Sequence, residues 1–182
     1  GHAEQAKVGD VVLAIGNPFG VGQTVTMGIV SAVGRNNLNI NQFENFIQTD
    51  AAINFGNSGG ALVDTNGNLL GINTAIYSQT GGSVGIGFAI PVTTAKDVME
   101  SIIKTGQVVR GWIGIESQDI TPELAASFGL ARDSGAIIAG VVRGGPADKA
   151  GIRPGDILLN VEGKQVATTA DMLNLIAQLV PG

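Results

Sequence analysis

A chain of 182 residues has room for one large domain or two small ones, and its 28 glycines favour short, turn-linked strands over long helical bundles or coiled coils. With 44% hydrophobic and 14% charged residues it carries too much apolar material for disorder, while a net charge of −5 with scattered basic residues argues against nucleic-acid binding. The absence of cysteine excludes disulfides, thiolate metal sites and cysteine nucleophiles, and no apolar run reaches the roughly 18 residues of a membrane-spanning helix.

Residues 10–90 read as six strands near 10–17, 24–35, 43–49, 61–65, 68–78 and 83–90. Apolar runs broken by Gly, Asn and Pro mark them out. Asn66-Gly67 predicts a type I′ hairpin between the fourth and fifth. Six such strands can close into one small antiparallel barrel. After Pro91 a helix is expected through Lys104, capped by Thr93-Thr94, with Val98, Ile102 and Ile103 as its apolar stripe and Gly106 as its stop.

From Val108 onward the pattern predicts a small α+β module, with strands at 111–116 and 135–143 and helices at 122–129 and 169–179. Turns fall at Gly144-Gly145-Pro146 and Arg153-Pro154-Gly155-Asp156. The expected organisation is therefore a barrel over 1–92, a linking helix over 93–107 and the module over 108–182.

The most informative segment is Gly56-Asn57-Ser58-Gly59-Gly60. Glycines on both sides of Ser58 allow demanding backbone angles and bring amide N–H groups close to a bound group. Acyl transfer needs this combination of a hydroxyl nucleophile and donors for the oxygen that becomes negative. A plain glycine-rich turn is the alternative. The string also fits the G-x-S-x-G elbow of α/β-hydrolases, but that elbow runs from strand into helix, whereas Ala61-Leu62-Val63-Asp64 leads toward another strand.

Several strings together resemble the HtrA/Deg family of trypsin-like serine proteases. They are Gly9–Pro18, Gln48–Asn54, Gly56–Leu62, Gly71–Thr74, Gly85–Pro91, Arg110–Ile115 and Gly151–Ile157, in the family's order over nearly the whole chain. The resemblance implies a mostly β protein: a six-stranded antiparallel barrel, the C-terminal half of a chymotrypsin-like fold, followed by an α+β PDZ domain that stops short at Val180-Pro181-Gly182. It implies that Ser58 is the nucleophile and that the amides of Gly56 and Ser58, with Asn57 between them, form the oxyanion hole. Ile53 and Ile76 would wall the S1 pocket, with ordinary barrel core as the alternative. Thr74 and Ala75 would pair with substrate as an added strand. Residues 17–23, 52–56 and 78–84 resemble the family's activation loops.

In the second module, Trp112-Ile113-Gly114-Ile115 resembles the carboxylate-binding loop and strand of a PDZ domain, and Leu173 and Ile176 would line the groove unless they belong to the core. Arg110 would help attract a carboxylate. No cofactor is expected. The implied partners are unfolded or extended polypeptides and hydrophobic C-terminal peptides, the implied location is the periplasm or cell envelope, and the implied role is protein quality control or regulated proteolysis. Family members are trimers or larger; a trimer is not expected of this chain itself, whose oligomeric state stays open, and the apolar face that would meet a first barrel implies self-association, loop disorder or a rearranged interface.

A serine triad also needs a base and an acid. The single histidine is His2, outside every motif, and Lys7, Lys96 and Lys104 lie in segments read as domain edge or solvated helix. The family's histidine and aspartate come from a first barrel that nothing here matches. The expectation is a piece of an ATP-independent serine endopeptidase that is inactive alone. Its rivals are a PDZ-type binding module on an inactive protease scaffold and a pseudoprotease.

Overall fold

The computed structural model describes every residue except 1, 2, 37, 39, 41, 42, 79, 80, 131–133 and 182. The chain divides into two compact units, Gly1–Val108 and Val109–Gly182. His2 lies outside the described residues.

The first unit is a closed antiparallel barrel of six strands: β1 (Val11–Gly16), β2 (Thr24–Arg35), β3 (Phe46–Thr49), β4 (Ala61–Asp64), β5 (Leu69–Ile76) and β6 (Gly87–Pro91). Their order around the barrel is β1-β2-β3-β6-β5-β4. Alternation sets which side chains point inward. On β1, Val12 and Ala14 are buried whereas Val11 is exposed, and across the barrel Val30, Ile47, Leu62, Leu70 and Ala89 fill the same core. Burying a side chain such as Val12 or Leu62 stabilises the fold by about 1.5–3 kcal/mol. Phe46 and Phe88 close one part of the interior with ring centroids 5.8 Å apart.

The strands fall where the apolar runs place them, but the β4–β5 hairpin is not type I′. That turn needs two consecutive residues with positive φ, and among the described non-glycine residues only Phe19 and Glu162 have one. Asn66 therefore stays right-handed while Gly67 takes φ 78. The Gly67 N–H bonds the Asp64 carbonyl and the Asp64 N–H bonds the Asn68 carbonyl, making a three-residue loop with glycine in the left-handed position. The Asp64 carboxylate selects it by accepting from the N–H groups of Asn66 and Asn68.

Helix α1 (Val92–Thr105) starts earlier than expected and has no side-chain cap; its N-cap is Pro91, not Thr93 or Thr94. Val92 packs against the barrel core, and the pairing of Pro91 with Gly71 carries the chain straight from β6 into the helix. The expected stripe is not buried either: Ile102 and Ile103 are exposed, and no residue of α1 is fully buried. Gly106 ends the helix at φ 76, as its position suggested.

The second unit contains β7 (Ile115–Asp119), α2 (Pro122–Phe128), β8 (Ala136–Val141), α3 (Pro146–Lys149), β9 (Ile157–Leu158), β10 (Asn160–Val161), β11 (Lys164–Gln165) and α4 (Thr169–Ala177). Strands β7, β8 and β9 form one sheet, and β10 and β11 form a hairpin. The strand expected at 111–116 begins only at Ile115, because Gly114 takes φ 75 and breaks the extended run. The helix α3 and the three two-residue strands carry too few residues for a periodic signal. Helix α4 has a full capping box between Thr168 and Asp171.

Candidate active site

Ser58 lies in the turn that feeds β4. The chain continues into strand rather than helix, so the α/β-hydrolase elbow is excluded. Ser58 is exposed, and its Oγ donates to the Thr74 carbonyl at 3.0 Å. The turn is fastened on both sides. The Gly59 N–H donates to the Asn73 carbonyl at 2.8 Å, the Asn73 N–H to the Gly60 carbonyl at 2.8 Å, and the Gly60 N–H to the Asn57 carbonyl at 2.9 Å. Gly60 admits no side chain, since a Cβ would lie 2.0 Å from the Ile15 carbonyl oxygen.

Two amides in this turn have no partner among the described residues, those of Gly56 and Ser58, while the Asn57 N–H between them bonds the Asn54 carbonyl at 3.0 Å. The Phe55 carbonyl accepts from the Phe19 N–H at 2.9 Å. In a trans peptide the N–H points opposite the C=O, so the Gly56 N–H is directed away from the Pro18–Gly20 turn. Gly56 has φ 100, and a Cβ there would meet the Asn17 carbonyl oxygen at 2.4 Å. Only glycine fits. Asn57 is buried, with its Nδ2 on the Ala52 carbonyl at 3.4 Å and its Oδ1 without a partner among the described residues.

Of the two proposed pocket walls, Ile53 is buried in the barrel core and Ile76 packs against the same cluster half-buried. Gly87 presses on Ile53, where a Cβ would come 2.9 Å from Cδ1. Thr74 and Ala75 lie on the part of β5 beyond its β4 pairing, which ends at Ile72. There β5 pairs only with β6, through Ala75 and Phe88 and through Ile76 and Gly87. One edge of residues 74–76 is thus open among the described residues.

Sequence reasoning passed over four contributors. Asn54 Oδ1 accepts from the Ser83 N–H at 2.8 Å, tying the serine loop to the segment before β6. Thr26 Oγ1 donates to the Ala52 carbonyl at 2.8 Å. Phe19 supplies the bond to Phe55, and Asn73 holds the serine turn. An asparagine inside the apolar run of β5 was the available signal. Of the three expected loops, 17–23 and 52–56 are described, while 79 and 80 of the third lie outside the described residues. Lys96 and Lys104 flank Glu100 on the solvated face of α1 at 3.7 Å each.

In the second unit the N–H groups of Trp112, Ile113 and Gly114 make no hydrogen bond among the described residues, whereas the carbonyls of Ile113 and Gly114 accept from Ala147 and Val142. Trp112 is exposed, and its ring lies close enough to Gly114 that a Cβ there would meet it at 3.0 Å. On α4, Ile176 is buried with Met172 in the core of this unit, while Leu173 packs at its edge, half-buried, as do Ile113 and Ile115. The sequence spacing that puts Leu173 and Ile176 on one face thus brings together one core and one partly open side chain.

A barrel of this order carrying a glycine-framed serine, followed by an α+β module, defines a trypsin-like protease fold with a PDZ domain. Residues 1–99 match the trypsin family and residues 137–181 the PDZ domain. The chain is 52% identical over 182 residues to a probable periplasmic serine endoprotease DegP-like of Brucella suis biovar 1, covering all of this chain and 35% of that protein. It is 50% identical over 182 residues to its namesake in Chlamydia trachomatis serovar D, with 100% and 37% covered. The structure of an HtrA-type protease AlgW with a tripeptide superposes at a TM-score of 0.89 and 58% identity, covering 100% of this chain and 60% of that one. The chain belongs to the HtrA/Deg family of trypsin-like serine proteases. It spans about a third of the length of the curated relatives it matches.

Proposed function

We propose that this chain carries the nucleophile half of a serine endopeptidase site, with Ser58 attacking the scissile carbonyl. The unpartnered Gly56 and Ser58 amides on either side of Asn57 carry the reading, because an oxyanion needs donors whose hydrogen bonds are not already spent. In the resting site the Thr74 carbonyl holds the Ser58 hydrogen. When a peptide adds as a strand along Thr74 and Ala75, that carbonyl is taken by a substrate N–H, and Ser58 turns to its base. Ile53 and Ile76 give the P1 side chain an apolar wall, which favours small or branched apolar residues.

A base is the missing component. The only histidine is His2, and a serine hydroxyl without a base is a weak nucleophile. The 182-residue chain alone is therefore inactive in this reading, and activity needs a histidine and an aspartate brought by a first barrel. Intact-mass analysis after exposure to a fluorophosphonate tests this. The expected result is no adduct on the chain alone, and one adduct per chain when it is joined to a first barrel carrying histidine and aspartate, lost in Ser58→Ala. No adduct in the joined form overturns the nucleophile reading; an adduct on the chain alone overturns its inactivity.

Peptide capture at the PDZ unit is the second part of the proposal. The free N–H groups of Trp112, Ile113 and Gly114 suit a terminal carboxylate, with Ile115, Leu173 and Ile176 forming the adjoining apolar surface and Arg110 drawing the charge. Hydrophobic C-terminal peptides bind and their amidated forms do not; equal affinity for both sinks the assignment. The relatives' names place those proteins in the periplasm, and the same location, a role in protein quality control or regulated proteolysis, and a trimeric or larger parent assembly are part of this reading.

A further inference from the structure

We infer that Asn73 is a positioning residue for the Ser58 turn, acting through its side-chain amide rather than by touching a substrate; the inference rests on Ser58 being the nucleophile. Asparagine is disfavoured inside a strand, yet Asn73 sits within β5 at 1% exposure. Its Nδ2 donates twice, to the Ile15 carbonyl at 3.1 Å and to the Ala61 carbonyl at 3.2 Å. Its backbone carbonyl and N–H bond Gly59 and Gly60. One residue thus grips the side of the serine turn that follows Ser58, at Gly59, Gly60 and Ala61, together with the last stretch of β1, from which the Asn17–Gly20 segment that latches Phe55 departs.

The place of these bonds matters. The β1–β4 ladder pairs Val12 with Asp64, Leu13 with Val63 and Ala14 with Leu62, and stops there. Ile15 and Ala61 are the next residues on the two strands, and the Asn73 amide joins their carbonyls where the ladder no longer does. Turning the amide over would set Oδ1 against two carbonyl oxygens, so the network fixes its orientation. In this orientation Oδ1 is buried without a partner among the described residues. An unsatisfied buried acceptor is costly, and an apolar side chain would avoid it. What the position needs from asparagine is the pair of donors, which act on Ile15 at the end of β1 and on Ala61 where the serine turn enters β4.

The test compares the wild-type chain with Asn73→Asp, which keeps the shape but exchanges the donor for an acceptor, and Asn73→Ser, which keeps one shorter donor. Hydrogen exchange is read at the Gly59 N–H, with the Val30 N–H, bonded to the Asp10 carbonyl at the end of the neighbouring β1–β2 ladder, as reference. Gly59 exchange is expected to rise by about tenfold or more in Asn73→Asp while Val30 stays within about twofold, with Asn73→Ser between them. In the form joined to a histidine-bearing barrel, the maximal rate of Ser58 phosphonylation should fall by about tenfold with half-saturating reagent concentration unchanged. Equal acceleration at Gly59 and Val30, or wild-type protection at Gly59, overturns the inference. If Asn73→Asp does not fold, Asn73→Ser decides by the same readings. An unlabelled wild-type protein overturns the nucleophile reading instead, and Gly59 exchange then decides for Asn73.

Discussion

Phe19 donates its backbone N–H to the Phe55 carbonyl at 2.9 Å, and does so from a left-handed backbone at φ 56. A bulky residue rarely adopts that conformation, and it costs of order 1 kcal/mol or more. The bond fixes the Phe55–Gly56 peptide unit, and with it the direction of the Gly56 N–H. Substitution at Gly56 should break this arrangement, because the new Cβ would meet the Asn17 carbonyl oxygen at 2.4 Å. Gly56→Ala is expected to lower Ser58 phosphonylation in the barrel-joined form by about 10²–10³-fold, the usual loss of one oxyanion donor. Intact-mass time courses measure it, and a rate within about twofold of wild type would remove Gly56 from the oxyanion site.

The left-handed pair Glu162 and Gly163 offers a stabilising change. Their φ values of 49 and 76, between the paired Val161 and Lys164, make this two-residue loop a type I′ turn. Glutamate is strained there, whereas asparagine tolerates the left-handed region. Glu162→Asn should raise the stability of the second unit by about 0.5–1 kcal/mol, read as a higher denaturation midpoint at unchanged slope.

Asp64 gives the first unit a dependence on acid. The Asn68 side chain, then the Asn68 backbone, holds its carboxyl below the usual carboxylate value. A carboxyl depressed in the folded state stabilises while ionised, so its contribution is complete above the unfolded-chain value and vanishes as pH falls through the folded value. Asp64→Ala should be less stable than wild type at neutral pH, and the two should converge at strongly acidic pH. Denaturant titrations across that range check this; a constant gap would show that the carboxylate's charge is irrelevant to the hairpin.

Thr168 caps α4, its side chain accepting from the Asp171 N–H at 3.1 Å while the Asp171 carboxylate accepts from the Thr168 N–H at 3.0 Å. Thr168→Ala should cost about 1 kcal/mol of stability in the second unit. Hydrogen exchange in the first turn of α4 should rise, and Thr168→Ser should restore most of the loss.

Much of the fold was legible because short strands bounded by Gly, Asn and Pro leave a period-two pattern. The six barrel strands sit on such signals, whereas Gly106 as a helix stop, α2 and α4 were legible from helix start, stop and spacing signals. The misplaced features have specific causes. Asn66-Gly67 looked like a type I′ turn, but the Asp64 side chain favours another loop by bonding the Asn66 and Asn68 amides. Thr93-Thr94 looked like a cap, but strand pairing at Pro91 starts the helix at once. The stripe of Ile102 and Ile103 promised burial, but amphipathic spacing says only that residues share a face, not that anything covers it.

The sequence by itself determined the serine between glycines, the barrel-then-module order and the family, because these depend on residue types and spacings along the chain. It did not reveal that Phe19, Asn73 and Thr74 meet the serine turn. Those residues lie 39 positions before Ser58 and 15 and 16 positions after it, and local propensity carries no information about which distant carbonyl an amide will reach. Barrel closure brings β1 and β5 alongside the turn, and only then do the bonds from Asn73 to Ile15 and Ala61 exist to hold Ser58 in place.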